Sequence, residues 1–346
     1  MNSSATSQKT MRAAVVYEHG AIERIVLENE FVRADPAPGW VSLRVRACSL
    51  NFHDIFSRRG MPGIRLPLPI IIGSDISGEI AALGAGVTGW QVGDRVLVDP
   101  MPCAGTDHKF IGEQFHGGRA EYCAAHASQL IRVPAEVSFE EAASNPHAYA
   151  TAYRMMLTRG AVRTGETVLI LGASGGVGTA CVLLAKLAGA KVIACAGSDE
   201  KAQRLREIGA DHVINYRTSN MRDEVWKIVG KPKVAGTGGV DVAVNFTGGK
   251  TWKDTLRCVK LGGRLLTCGA TAGFDEEIDV RFVWTFEQTI IGSDGWRRAD
   301  IEALLALAQS RQLVPIVEKI LPLSEVHEAE RLLESREAFG KIVLTP

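Results

Sequence analysis

The stretch TVLILGASGGVGTACVLLAKLAGAKVIACAG, from Thr167 to Gly197, limits the fold of this chain more than any other segment. An apolar run, a glycine-rich turn at Leu171 to Gly178, a Leu- and Ala-rich run and a second apolar run follow in the order strand, turn, helix, strand. That order is one βαβ unit, and it demands a parallel sheet. It is also what separates this turn from an ordinary loop. In such a unit Gly175 lets the backbone approach a pyrophosphate, and Gly176 and Val177, next to Ser174, present amides at the positive end of a helix. Gly178 lets the helix and strand pack closely. Ala173 stands where the fingerprint's first glycine would be. The ligand expected here is a nicotinamide dinucleotide.

Strand-like segments TVLILGA, KVIACAG, HVINY, VDVAVNF, GRLLTCG and TIIGSDG alternate with helical spacing at 176–189, 199–208, 221–229 and 250–260. Six strands with helical crossovers predict an α/β fold with a doubly wound Rossmann sheet. Before it, from Met11 to about Val133, short β-rich runs broken by Gly, Pro and Asp predict an irregular antiparallel β domain. A helix near 299–309 is followed by VPIVEKILPL, SEVHEAERLLESR and GKIVLTP, whose texture matches the first part. The expected domains are therefore 11–138, completed by 312–346, and 139–311.

Lys+Arg and Asp+Glu both total 39 and the pI is near 7.1, so neither nucleic acid nor an anionic membrane is an expected partner; the expected partner is a small-molecule substrate. The seven cysteines include no C-x-x-C pair, which predicts reduced thiols and a cytoplasmic location. The opening MNSSATSQKT reads as a frayed polar terminus without the apolar core of a secretion signal.

Cofactor choice turns on the end of the second strand, where a carboxylate would hold the ribose 2′-OH of NAD. Gly197 stands there, and Ser198, Lys201 and Tyr216 offer a 2′-phosphate two hydroxyls and a charge, so NADP(H) is expected ahead of NAD(H). The opposing reading has Ser198 capping a helix, Lys201 in solvent and Asp199 reaching the ribose. The nicotinamide half is expected against Thr151, Phe246, Thr247, Gly269 and Ala270, near the carboxyl ends of the fourth and fifth strands.

Several ordered motifs carry a resemblance over Met11 to Pro346: ACSLNFHDIFSRRG, LPLPIIIGSDISGEIAALGAGVTGWQVGDRV, GGRAEYCAAHASQLIRVP, the glycine-rich turn, GADHVINY and FGKIVLTP. The chain resembles the medium-chain dehydrogenase/reductase superfamily, in its quinone-oxidoreductase-like branch near the zinc-type alcohol dehydrogenases. The resemblance implies a GroES-like domain, a Rossmann domain and an active-site cleft where they meet. It also permits a check on the zinc that many relatives bind. Asn51 stands at the position of the first Cys ligand, and Ser74 and Asp75 stand at the His-Glu pair. His147 matches the third ligand position. Neutral amide and hydroxyl oxygens replace thiolate and imidazole poorly, so no catalytic zinc is expected. The structural-zinc lobe reads PMPCAGTDHKFIGEQFHGG, with Cys103 alone; Cys103, His108 and His116 suggest at most an adventitious site.

Without a Lewis acid, unactivated ketones are harder hydride acceptors, whereas an alkene conjugated to a carbonyl takes hydride at its β-carbon. The expected reaction is NADPH-dependent reduction of a quinone or α,β-unsaturated carbonyl compound, as the resemblance also implies. The alternatives are a zinc alcohol dehydrogenase built on Asp75 and His147, and a cofactor-binding protein without turnover. Candidate catalytic residues are Asn51 as hydrogen-bond donor, His53 as proton relay, and Asp54, for which a capping role or pairing with Arg58, Arg59 or Arg119 is the plainer reading. Many relatives carry Tyr where Phe56 stands. Phe52, Phe56, Ser74, His147 and Trp284, with Met61 and Trp296, are candidate pocket walls. The apolar edge strand around TIIGSDG predicts a homodimer.

Overall fold

The computed structural model describes residues 9–61, 63–101 and 110–346. The chain divides into two compact units, one reaching His147 and resuming over Val317–Pro346, the other spanning Ala148–Ile316. Among the described residues, no helix is long and apolar enough to cross a membrane.

The second unit holds a six-stranded sheet in which every neighbouring pair is parallel. Across the sheet the order is His212–Asn215, Lys191–Ala196, Thr167–Ile170, Val240–Val244, Val259–Thr267 and Thr289–Gly292. The earliest strand lies centrally, and chain order reverses beside it, which is the doubly wound arrangement and opens a crevice at the strands' carboxyl ends. Val168, Leu169, Ile170, Val242, Ala243 and Val244 are fully buried. Their continuous apolar runs are what strands covered on both faces require. Helix Gly176–Leu187 buries Ala180, Cys181, Leu184 and Ala185 at helical spacing, and the chain leaves it through Gly189 at φ +78°.

One element departs from expectation. The helix read over 250–260 is only Thr251–Leu256, and the next strand, Val259–Thr267, begins ahead of GRLLTCG. Val240 N bonds Cys258 O at 2.8 Å, drawing that segment into the sheet, and Gly262 at φ +68° could not continue a helix.

The first unit contains a seven-stranded sheet. Val317–Pro322, Lys341–Thr345, Trp40–Ser49, Asp75–Leu83, Arg95–Val98 and Leu130–Arg132 follow in order, and Tyr122–His126 also pairs with Trp40–Ser49. A three-stranded sheet of Ile25–Val32, Thr10–Val16 and Ile70–Ile71 accompanies it. Val41, Leu43, Val45, Ile76, Ile80, Val96 and Val98 make the main core. Lys341–Thr345 pairs antiparallel with Trp40–Ser49, matching Leu344 to Cys48, so the chain returns to this sheet. Helix Phe139–Ala143 packs on Trp40–Ser49 and Asp75–Leu83, and Ser77 Oγ donates to Phe139 O at 2.6 Å. Residues 139–147 thus sit with the first unit. Helical spacing reports a helix but not which core it covers.

Candidate functional site

In the second unit the glycine-rich turn is built for close approach. A Cβ on Gly178 would lie 2.2 Å from Gly172 O, so this position tolerates no side chain where helix meets strand. Gly175 is different: a Cβ there would meet only Gly172 O, at 3.8 Å. Space is therefore left in front of the helix, whose first turn no side chain caps. The amides of that turn have no acceptor within the helix, and with the open space they suit a dinucleotide pyrophosphate.

At the end of strand Lys191–Ala196, a Cβ on Gly197 would meet Tyr216 Oη at 2.6 Å and Arg217 Nε at 3.6 Å. Tyr216 and Arg217 therefore border the position that decides the ribose contact. Arg217 escaped the sequence reading; its neighbour Tyr216 was the only pointer to it. Ser198 Oγ accepts from Lys201 N at 3.2 Å and caps helix Asp199–Glu207, as the opposing reading held. Asp199 Oδ1 accepts from Asn215 Nδ2 at 2.8 Å, which ties up that oxygen of the carboxylate offered as a rival ribose ligand.

The loops after the fourth and fifth strands are joined. Thr271 N donates to Phe246 O at 3.3 Å and Ala272 N to Thr247 O at 2.7 Å, while Gly172 faces the Phe246 ring and Thr247 Oγ1. Behind them buried Asn245 accepts from Thr247 N and Gly248 N through Oδ1 and donates to Thr251 and Thr255, latching the loop to the next helix. Gly269 is exposed and Ala270 half-buried, Thr151 lies buried in helix Ala150–Tyr153, and Trp284 is 65% exposed. Trp296 is buried, which removes it from the pocket walls.

The first unit gathers a polar centre. Asn51 precedes helix Phe52–Arg59, and its Nδ2 donates to Asp75 Oδ2 at 2.9 Å. Lys341 Nζ donates to Leu50 O at 2.8 Å, Asn51 Oδ1 at 2.5 Å and Asp75 Oδ2 at 3.4 Å. Asp75 Oδ1 accepts from His147 N at 3.0 Å. Burial lifts the Asp75 carboxyl to about 6 against the pull of Lys341 and Asn51. Burial likewise lowers the Lys341 ammonium against its attraction to Asp75. Asn51 keeps one amide proton outside this network. Ser74 Oγ, also buried, has no partner among the described residues.

Asp54 makes the contacts of the plainer of its two readings. Its Oδ2 accepts from Asn51 N at 2.9 Å and Arg119 Nη2 at 3.1 Å, so this candidate catalytic carboxylate starts the helix and pairs a buried arginine. Arg119 also bonds Glu330, which takes Arg58 Nε at 3.0 Å on its other oxygen. His53, on the same helix, bonds Glu113 through Nε2, and its ring centroid lies 5.1 Å from that of His147. Burial disfavours the His53 imidazolium, but the bond and charge of Glu113 outweigh it and raise the pKa. Burial drives the His147 pKa well down, aided by the charges of His53 and Lys341. Phe52 and Phe56 pack edge to face at 5.7 Å, and Met61 beyond them is exposed. Cys103 and His108 lie outside the described residues; His116 Nδ1 accepts from Ile71 N at 3.1 Å. No cluster of three or more His, Cys, Asp or Glu placed to hold a metal occurs among the described residues.

Comparison with known proteins agrees with the two folds. Residues 37–135 match the alcohol dehydrogenase GroES-like domain and residues 176–310 the zinc-binding dehydrogenase family. The human (Homo sapiens) quinone oxidoreductase is 31% identical over 98% of this chain and 99% of its own length. The crystal structure of AibC is 35% identical with a TM-score of 0.87, covering 100% of this chain and 98% of that one. A crystal structure of an NAD-dependent alcohol dehydrogenase is 34% identical with a TM-score of 0.89, covering 97% and 100%. A GroES-like β unit, a doubly wound dinucleotide unit and full-length similarity to quinone oxidoreductase place this chain in the medium-chain dehydrogenase/reductase superfamily, as a quinone-oxidoreductase-like enzyme.

Proposed function

We propose that this oxidoreductase reduces a quinone or an α,β-unsaturated carbonyl compound with NADPH and uses no catalytic zinc. The observation that carries the reading is Lys341, whose ammonium rests on Asn51 Oδ1 and Asp75 Oδ2. Those oxygens belong to residues at two zinc-ligand positions of the metal-dependent relatives. A second cation beside the first would meet repulsion and an amide where thiolate is wanted. The donor set therefore does not suit the metal after which the matched family model is named.

NADPH, when bound, supplies the hydride. The amides at the start of helix Gly176–Leu187 bind its pyrophosphate, and Arg217, Tyr216 and Lys201 receive its 2′-phosphate. The remaining Asn51 amide proton stabilises negative charge on the substrate's carbonyl oxygen. His53, kept protonated to higher pH by Glu113, holds a proton for the same oxygen. Negative charge that spreads over a conjugated system needs only such donors, which favours enones and quinones over simple ketones.

The unpaired outer edge of strand Thr289–Gly292, with Ile290 exposed, supports a homodimer formed by pairing two such edges. Free thiols at all six described cysteines support a reducing, cytoplasmic location.

The test is consumption of NADPH and of NADH by purified protein with a quinone and enone panel, before and after chelation, with elemental analysis. Turnover that survives chelation is expected. One tight zinc per chain with activity lost to chelator would assign an alcohol dehydrogenase instead. NADPH binding without turnover on any substrate would assign a binding protein.

A further inference from the structure

The second unit carries an open polar cavity of about 570 Å³ at the carboxyl ends of strands Val259–Thr267 and Thr289–Gly292. Three guanidinium groups line it, from Arg154, Arg159 and Arg297, against one lining carboxylate, Asp294. Arg154 and Arg159 come from the helical segment before the first strand of the sheet, and Arg297 from the turn after the last. The topology thus aims arginines from two distant chain segments into one space.

Their local bonds leave most of their donors unused. Arg159 Nε donates to Gly292 O at 2.6 Å and Arg297 Nη1 to Trp296 O at 3.0 Å. Arg154 Nη1 stands 3.8 Å from Asp300 Oδ2. Asp300 also accepts from Thr158 Oγ1 at 3.1 Å and Arg297 N at 2.7 Å, so its charge is shared with the start of helix Arg298–Gln309. A guanidinium has five N–H groups; Arg159 and Arg297 each commit one to these bonds, and Arg154 meets Asp300 as an ion pair. Two buried donors have no partner among the described residues, Arg154 Nε and the hydroxyl of Ser293, a residue only 7% exposed. Those two atoms are closed off from solvent, so an acceptor would be met by the remaining guanidinium donors, and three arginines against one lining carboxylate mark a place suited to an anion.

We propose that this cavity is a subsite for an oxyanion of the substrate, a carboxylate or phosphate group carried apart from the double bond that is reduced. The assignment rests on the reductase reading above and narrows it to anionic substrates. Gly269, which lines the cavity, is also among the residues expected at the nicotinamide end of the cofactor, which supports a group seated here reaching toward the reacting region. Arginine suits both anions because its planar fork bonds two oxygens at once. A cavity of this volume exceeds the need of a lone ion and accommodates several carbons attached to it.

The experiment combines equilibrium binding and kinetics on the full chain, wild type and the paired variant Arg159→Gln with Arg297→Gln. Both side chains are exposed, and thermal melting checks that the variant folds. Succinate and inorganic phosphate are titrated calorimetrically, and kcat/KM is measured for a neutral enone and for the same enone with a terminal carboxylate. The expected result is saturable binding of one anion that the variant loses, and a carboxylate-over-neutral preference that falls roughly tenfold or more. Arg297→Lys, which keeps the charge, should recover part of it. Succinate binding identifies a carboxylate and phosphate binding a phosphoryl group. Binding lost in the variant with no turnover of either enone would overturn the reductase reading and leave the anion site standing. Turnover with no anion binding and an unchanged preference would overturn the subsite and leave the reductase.

Discussion

Lys341 Nζ lies 2.5 Å from Asn51 Oδ1, joining strand Lys341–Thr345 to the start of helix Phe52–Arg59 across 290 sequence positions. The ammonium has three protons and finds three acceptors, in Leu50, Asn51 and Asp75, so its orientation is fully determined. Each partner is buried, and the consequences differ by which one is removed.

Replacing Lys341 by Met keeps the volume and removes the cation, leaving Asp75 buried without its counter-charge. The expected cost is about 3–5 kcal/mol, read as a lower urea midpoint at neutral pH. The double variant with Asp75→Asn should regain much of this loss. A Lys341→Met protein as stable as wild type would show that the ion pair does not hold the centre together.

Asp75 also gives the protein a pH signature. Its carboxyl titrates at about 6 in the fold against an ordinary 3.8, so the folded state binds the proton more tightly. Between those values the native protein holds more protons than the unfolded chain, and stability falls as pH rises through that window. The loss amounts to about 3 kcal/mol and is complete above the folded value. Denaturation of wild type and Asp75→Asn from about pH 4 to about pH 7 measures it. Wild type should lose stability relative to the variant as pH rises, and parallel curves would contradict the burial effect.

Arg217→Ala should weaken NADPH roughly tenfold or more while leaving NADH within about twofold, because only the former presents a 2′-phosphate to the guanidinium. Fluorescence titration of both nucleotides measures the ratio. Equal losses for the two would assign Arg217 a structural role, and no loss would return the choice to NAD.

Ile290→Lys places a charge on the exposed edge of strand Thr289–Gly292. Sedimentation at micromolar concentration should then show monomer where wild type is a dimer. A monomeric wild type would refute the edge-pairing proposal.

The parallel sheet was legible because an unbroken apolar run followed by Gly172 to Gly178 has few other structural solutions. Helix 250–260 was overextended because helical spacing around Trp252 says nothing of the sheet bond that recruits Cys258 and Val259. The polar centre was half legible: Asn51, Asp75 and His147 stand at positions that invite chemistry, but Lys341 read as part of a closing β motif. Glu113 had no local signal either, since its bond to His53 spans 60 positions. Asp54 shows the opposite limit, where a carboxylate at a suggestive place serves the start of a helix.

The return of strand Lys341–Thr345 to Trp40–Ser49 also sets an order of events during translation. Chains grow from the amino end, so all of Ala148–Ile316 is made after Asn51 and Asp75 and before Lys341. The cation that offsets the burial of Asp75 is thus among the last residues to be made. The polar centre is therefore complete only once the last residues of the chain have been made.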